Sequence, residues 1–354
     1  MFKFSNLFIV RSGFLIWERG SIILKSNISV LGFSAVAGEM EQAGPLQGKF
    51  DRVFSGDTDG KKTFEQAESQ MQLCAAQFAI EKSNLSAGQI GVAFAGDLLN
   101  QCIGSSYGLC SLKIPFLGLY GACSTMAESL VVASVFLESN AVQTALAVTS
   151  SHFCAAERQF RFPLEYGGQR PLSAQWTATA AGAVVLGRDF ENFENECAVK
   201  IKAVCIGKIC DLGVKDINNM GAAMAPAAAD TITTFFKQTA TSAEDYDIIL
   251  TGDLGEIGST ILNELVNRAG FAFKGRHQDC GLLIFDRNEQ DVHAGGSGCG
   301  CSAAVLCADV LNRLKAGKLH RVLFVATGAL MSTKTNKQGE TIPSIAHLVL
   351  FESE

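Results

Sequence analysis

Residues 121–151 read GACSTMAESLVVASVFLESNAVQTALAVTSS, and residues 298–329 read GCGCSAAVLCADVLNRLKAGKLHRVLFVATGA. Each stretch opens on a Gly/Cys/Ser turn, continues with apolar residues at helical spacing and closes in a Val/Leu/Ala strand. Cys123 precedes Thr149 by 26 positions, and Cys301 precedes Thr327 by the same 26. A second matched pair lies upstream of the first: IGVAFAGDLLNQC at 90–102 and YDIILTGDLGEIGS at 246–259, both apolar runs ending in Gly-Asp-Leu. Two pairs in the same order predict a duplicated chain in which each copy runs turn, helix, strand.

The charged run RDFENFENECAV at 188–199 interrupts the apolar pattern and divides the copies near residue 190. Residues 61–190 form the first half and 191–354 the second, while residues 1–60 read as N-terminal strands and loops packed on the first half. Thr63-Phe-Glu-Gln66 has the form of a helix-opening capping box. Asp97 and Cys123 are 26 positions apart and Asp253 and Cys301 are 48 apart, so the second copy carries an insertion of 22 residues, which holds His277, Cys280 and His293. Alternating strands and helices predict an α/β fold, with parallel sheets covered on both faces and the halves packed as one body.

The 354 residues are 48% hydrophobic, enough to bury two modest cores or one large layered one. A formal net charge of -6 and a pI near 5.5, with no stripe of Lys and Arg, argue against nucleic acid as a partner. Twelve cysteines scattered through apolar and Gly/Ala-rich runs, without a CxxC pair, read as reduced thiols. Cys299-Gly-Cys301 is too tight for a structural zinc pair. Arg11, Glu18, Arg19 and Lys25 break the greasy N-terminus before it reaches spanning length, so neither a secretion signal nor a membrane span is expected and any membrane contact is peripheral.

Chemistry concentrates at Cys123. Residues 113–121 read as a strand and 124–139 as a helix, which puts a small nucleophile on the sharp turn between them. Unpaired N–H groups and the positive end of the helix dipole there either lower a thiol pKa or seat an anion. The duplicated halves, the GACST turn at 121–125 and the strand WTATAAGAVVLGR at 176–188 together resemble the thiolase superfamily, especially its β-ketoacyl synthase III branch. The resemblance implies a five-layered α-β-α-β-α body and a nucleophile at Cys123, with a His and an Asn, or a second His, supplied by the second half. Neither partner matches here: Gly252 or Asp253 stands at the His position and Gly300 at the Asn position. Loss of general-base and oxyanion groups each removes roughly two orders of magnitude in rate, so no catalytic residue is expected.

The chain is more specifically similar to the stage V sporulation protein AD family. The similarity is carried by AGDLLNQ at 95–101, KIPFLGLYGACST at 113–125, AAERQFRFPLEYGGQRP at 155–171, MGAAMAPAAADTI at 220–232, HQDCGL at 277–282 and AGGSGCGCSA at 294–303. That resemblance implies binding of dipicolinic acid (pyridine-2,6-dicarboxylate), with Ca2+ as its counter-ion and no other cofactor. It further implies uptake of the acid into the developing spore, as a subunit peripheral to the spore inner or forespore-facing membrane and docked on membrane-embedded channel subunits. A homodimer is a further partner to consider. For a flat dicarboxylate, the expected ligand-binding residues are Cys123, Asp97, Asn100, His152, Arg158, Arg161, Arg170, Asp253, Ser297 and Cys301. The arginines suit bidentate carboxylate contact and equally suit an interface or pairing with Glu157 and Glu165. Asp97 and Asp253 serve either as helix caps or as calcium ligands, capping being the safer reading. The alternative function is an acyltransferase using Cys123 on acyl-CoA or acyl-carrier-protein thioesters.

Overall fold

The computed structural model describes residues 9–11, 14–16, 20–160, 170–190 and 197–353. In chain order the first half contributes β1 (Ser21–Ala37), α1 (Phe64–Lys82), β2 (Val92–Gly96), α2 (Ile103–Leu109), β3 (Phe116–Gly118), α3 (Thr125–Glu138), β4 (Thr144–Ser151), α4 (Phe153–Phe160) and β5 (Ala180–Arg188). The second half contributes β6 (Val199–Cys205), α5 (Met220–Thr239), β7 (Ile248–Thr251), α6 (Gly255–Arg268), β8 (His277–Asp279), α7 (Cys299–Val305), β9 (Arg321–Ala329), α8 (Thr333–Lys337) and β10 (Ser344–Ser353).

The duplication is visible in the sheet. Its order is β8-β7-β9-β10-β6-β1-β5-β4-β2-β3, which read outward from the middle is the same path twice. In the first half β1 pairs antiparallel with β5 and β5 with β4, while β4–β2 and β2–β3 are parallel. The second half repeats the senses strand for strand: β6–β10 and β10–β9 antiparallel, β9–β7 and β7–β8 parallel. The 17-residue β1 joins the two, pairing through Ser21–Ser29 with β6 and through Ile28–Ala37 with β5. Residues 21–37 therefore lie inside the sheet, not over the first half as a preamble. Only a strand of that length can bond to both halves.

Helices form three layers around the two sheet halves. α1 and α2 cover one outer face, α5 and α6 the other, and α3 and α7 lie between, touching strands of both halves. α7 continues through a π turn at Leu306–Val310 into the helical residues Leu311–Lys315. The middle helices are apolar on nearly every side because both their faces meet a sheet: Met126, Leu130 and Leu137 on α3 and Val305, Leu306 and Leu311 on the other are fully buried. At the start of α1 the Thr63 hydroxyl accepts from Gln66 N at 3.2 Å, while Gln66 Oε1 accepts from Lys62 N, one residue earlier than a capping box requires. Among the described residues no helix is long and apolar enough to cross a membrane. All twelve cysteines are free.

The middle layer approaches the sheet at backbone distance. A Cβ on Gly182 of β5 would lie 2.5 Å from the Ala303 carbonyl on α7. Gly182→Ala should therefore force α7 away from β5 and destabilise the protein by about 1–3 kcal/mol, read as a lower midpoint in chemical denaturation with an unchanged slope.

Candidate functional site

The Cys123 turn is built from short hydroxyls and a strained backbone. Ala122 has φ 53°, a left-handed conformation that a non-glycine residue adopts only when its surroundings impose it. Ser124 Oγ donates to Gly121 O at 2.7 Å, Thr125 Oγ1 donates to Ala122 O at 2.6 Å, and Thr125 Oγ1 accepts from Gly121 N at 3.2 Å. The turn rests on the other half of the molecule: a Cβ on Gly328 of β9 would lie 2.4 Å from the Gly121 carbonyl. The serine, threonine and glycines around Cys123 thus close a turn that faces the second half.

The second half answers with a short strand, Gly296–Ser297, paired in parallel with Trp176–Thr177. Ser297 Oγ lies 3.9 Å from Cys123 Sγ and donates to Asp253 Oδ2 at 3.1 Å. Asp253, fully buried, also accepts from Gly298 N at 2.9 Å and from Thr327 Oγ1 at 2.9 Å. Gln175 steadies the same corner, donating to Asp253 O at 2.7 Å and Gly296 O at 2.8 Å. The outcome is a line of three side chains, Cys123, Ser297 and Asp253, across the seam between the halves.

None of the five histidines reaches this line. His152 Nε2 bonds the Asp57 carbonyl at 2.7 Å, and His277 Nε2 bonds Thr251 Oγ1 at 2.9 Å. His293 pairs with Asp291, and His347 accepts from Gly207 N. Burial holds the Cys123 thiol well above its ordinary pKa, and the neighbouring charge of Asp253 pushes it the same way. Burial likewise raises Asp253, against the hydrogen bonds it accepts. The site favours the protonated thiol.

Cys123 forms the floor of a cleft of about 340 Å³ whose walls include Leu98, Tyr120, Phe160, Met220, Leu330 and Met331. Thr177, Ser297, Ser332 and Thr335 supply hydroxyls, and Glu157 is the one charged side chain among the described lining residues. Of the ten expected ligand-binding residues, the structure brings Cys123 and Ser297 to the cleft and Asp253 directly behind them. Asp97 is turned away: its carboxylate accepts from Leu99 N, Ser105 N and Ser105 Oγ at 2.9, 2.7 and 2.6 Å, holding the start of α2. Asn100 is exposed and accepts from the Tyr120 hydroxyl. His152 stacks on Phe64 instead. Arg158 pairs with Glu65 over the same ring, and Arg170 lies over Trp176 and donates to the Asp291 carbonyl. Arg161 lies outside the described residues. Cys301 is buried in the middle layer, and Cys299 packs against Cys123 in its place, because residues two apart on a helix point to opposite sides.

Gly300 has no room for an asparagine. A Cβ there would lie 2.2 Å from the Ala180 carbonyl, and its N–H already donates to Ser151 Oγ at 3.2 Å. The two Gly-Asp-Leu acids have also parted company. Asp279, which the sequence reading did not single out, takes the capping task in the second half, accepting from Leu254 N, Gly255 N and Thr251 Oγ1 at 2.8, 2.9 and 2.6 Å. That leaves Asp253 for the cleft. Burial lifts Asp279 to about 7, with the hydrogen bond from Thr251 pulling against it. No group of three or more His, Cys, Asp or Glu side chains suited to a metal ion occurs among the described residues, so Asp97 and Asp253 do not form a calcium site with other protein ligands of that kind.

Comparison with known proteins agrees with this architecture. Residues 18–352 match the family described as Stage V sporulation protein AD (SpoVAD). The chain is 45% identical over 330 residues to stage V sporulation protein AD of Bacillus subtilis, covering 93% of this chain and 96% of that protein. In three dimensions it is similar to 3-oxoacyl-[acyl-carrier-protein] synthase III of Aquifex aeolicus, with TM-score 0.56, 11% identity and coverage of 92% of this chain and 99% of that one. It is also similar to a variant of OleA from Xanthomonas campestris, with TM-score 0.60, 14% identity and coverage of 93% and 99%. At such identities the two enzymes carry the fold, which is thiolase-like, and nothing about activity.

Two measurements check the electrostatics. Alkylation of Cys123 by iodoacetamide, followed by peptide mass spectrometry, should be slower at pH 8 than that of the exposed Cys110, and Asp253→Asn should speed it several-fold by removing the charge that opposes the thiolate. Asp279 is an acid whose pKa rises on folding, from 3.8 to about 7, so its contribution to stability is fully present below about pH 4 and lost as the pH rises through 7. Asp279→Asn should flatten the fall in denaturation midpoint between pH 4 and 7.

Proposed function

The chain belongs to the stage V sporulation protein AD family, and from that premise we propose that it is a non-catalytic binding protein whose ligand, dipicolinic acid, occupies the cleft over Cys123. The observation that carries the non-catalytic reading is the setting of Cys123, which faces a serine tied to a buried carboxyl and whose thiol is favoured in its neutral form. A cleft of about 340 Å³ falls within the usual range for small-molecule sites. Its aromatic, leucine and methionine walls suit a flat ring.

Charge decides the form of the ligand. Pyridine-2,6-dicarboxylate is a dianion at neutral pH, and no Lys or Arg occurs among the described lining residues. Moving an uncompensated dianion into such a cleft is costly, whereas its calcium complex carries no net charge. The reading therefore makes Ca2+ part of the ligand, with the hydroxyls of Thr177 and Ser332 in the cleft available to its oxygens. In this role the protein works peripherally on the spore inner or forespore-facing membrane, beside membrane-embedded subunits of a dipicolinate channel. A homodimer through the exposed edge strand β3, where Phe116 and Leu117 face solvent, is compatible with that role.

Calorimetry tests the reading. Calcium with dipicolinate should bind saturably and at least about tenfold more tightly than dipicolinate alone. Cys123→Trp, which fills the cleft, should abolish the heat, while Cys123→Ala should retain it. No saturable binding with or without calcium would rule the ligand out. The second reading, a Cys123 acyltransferase, draws on the position of the thiol at the floor of a thiolase-type cleft; incubation with acyl-CoAs would then leave a mass adduct that Cys123→Ala lacks.

A further inference from the structure

Ser297 reaches the cleft with its proton already committed. Its hydroxyl donates to Asp253 Oδ2 at 3.1 Å, and the same carboxylate oxygen accepts from Gly298 N at 2.9 Å. A backbone N–H cannot reverse its role, so Oδ2 stays an acceptor, and a proton taken up by Asp253 would lie on Oδ1, which faces Thr327 Oγ1 at 2.9 Å. The Ser297 O–H therefore points away from the cleft, and its oxygen presents lone pairs there. The oxygen is also held still. Ala178 N donates to Ser297 O at 2.9 Å, Trp176 N donates to Gly295 O at 2.9 Å, and a Cβ on Gly281 would lie 2.4 Å from the Gly296 carbonyl.

Other polar atoms of the cleft share this sense. Thr335 Oγ1 donates to Ser332 O at 3.0 Å, so its proton is committed too. The one charged side chain among the described lining residues, Glu157, is acidic, and no Lys, Arg or His is found there. A bare carboxylate brought to Ser297 would set lone pair against lone pair, whereas a hard cation takes such oxygens as ligands. One hydroxyl cannot hold a free ion. A divalent cation already bound by a dicarboxylate needs only to complete a shell of about six to eight donors, and a fixed neutral oxygen supplies one of them without adding charge. Asp253, accepting the proton from behind, makes that oxygen a better donor of electrons.

We propose that Ser297 Oγ is a protein ligand to the cation carried by the dicarboxylate, and that Asp253 is the positioning residue that turns it toward the metal. The inference rests on the cleft reading above and adds which end of the ligand the floor recognises: the metal, with the ring left to the apolar walls. Calorimetry with dipicolinate alone and with calcium dipicolinate tests it. Ser297→Ala should weaken the calcium complex about tenfold and change the affinity for the free acid by less than about twofold. Asp253→Asn, which keeps the shape and removes the charge, should narrow the preference for the calcium complex in the same direction. Terbium in place of calcium gives a second readout at saturating ligand: luminescence lifetimes in H2O and D2O count the waters on the metal, and the wild-type complex should hold one fewer than that of Ser297→Ala. Unchanged unfolding midpoints exclude misfolding. Equal losses for both forms of the ligand, or equal water counts, overturn the assignment while leaving the cleft as the binding site. No binding of either form by the wild-type protein overturns the cleft reading, and this assignment with it.

Discussion

The structure depends on how closely the two halves approach where their turns meet. The Gly121 carbonyl occupies the space a side chain on Gly328 would need, Gly182 admits the Ala303 carbonyl, and Gly298, at φ 108°, sits against the Ser151 hydroxyl. The first two contacts set backbone on backbone across the seam and the third sets backbone against a side chain, and each needs a residue without a Cβ. The cleft is what remains when these turns have closed on one another, so its floor is shared: Cys123 comes from the first half, Ser297 and Asp253 from the second.

That closeness also sets the surroundings of the Cys123 thiol. With Ala180 and Ser151 against Gly300, the position cannot carry an amide side chain, and the turn after β7 presents the carboxylate of Asp253 at the seam. A carboxylate beside a buried thiol opposes the thiolate, whereas an imidazolium would stabilise it. The polar line across the seam therefore holds the fold of the cleft and keeps the sulfur neutral. Under the proposed function, the same absence of fixed positive charge among the described lining residues favours a ligand that arrives with its charge already compensated.

Duplication supplied the parts, and the differences between the copies supplied the site. Asp97 and Asp253 stand at matching strand ends, yet the first caps α2 while the second faces the seam. Asp279 makes this possible: it ends β8 at the position that Gly118 holds on β3 of the first half, and it takes over the N–H groups of Leu254 and Gly255. A carboxylate in place of a glycine at one matched strand end thus releases another side chain from a structural task.

The amino-acid sequence by itself determined the duplication and the layered α/β architecture, since equal spacings and the periods of helices and strands are local properties of a chain. It also marked Cys123, Ser297 and Asp253. What it did not determine is where long side chains and neighbouring residues point. Arg158 and Arg170 looked like carboxylate ligands and found Glu65 and Asp291, and Cys301 exchanged places with Cys299. The length of β1 made a central strand of what read as a preamble, and Met220, Met331 and Thr177 reached the cleft from three separate elements. These outcomes depend on helix phase, strand register and contacts between residues more than a hundred positions apart, which only the packed halves decide.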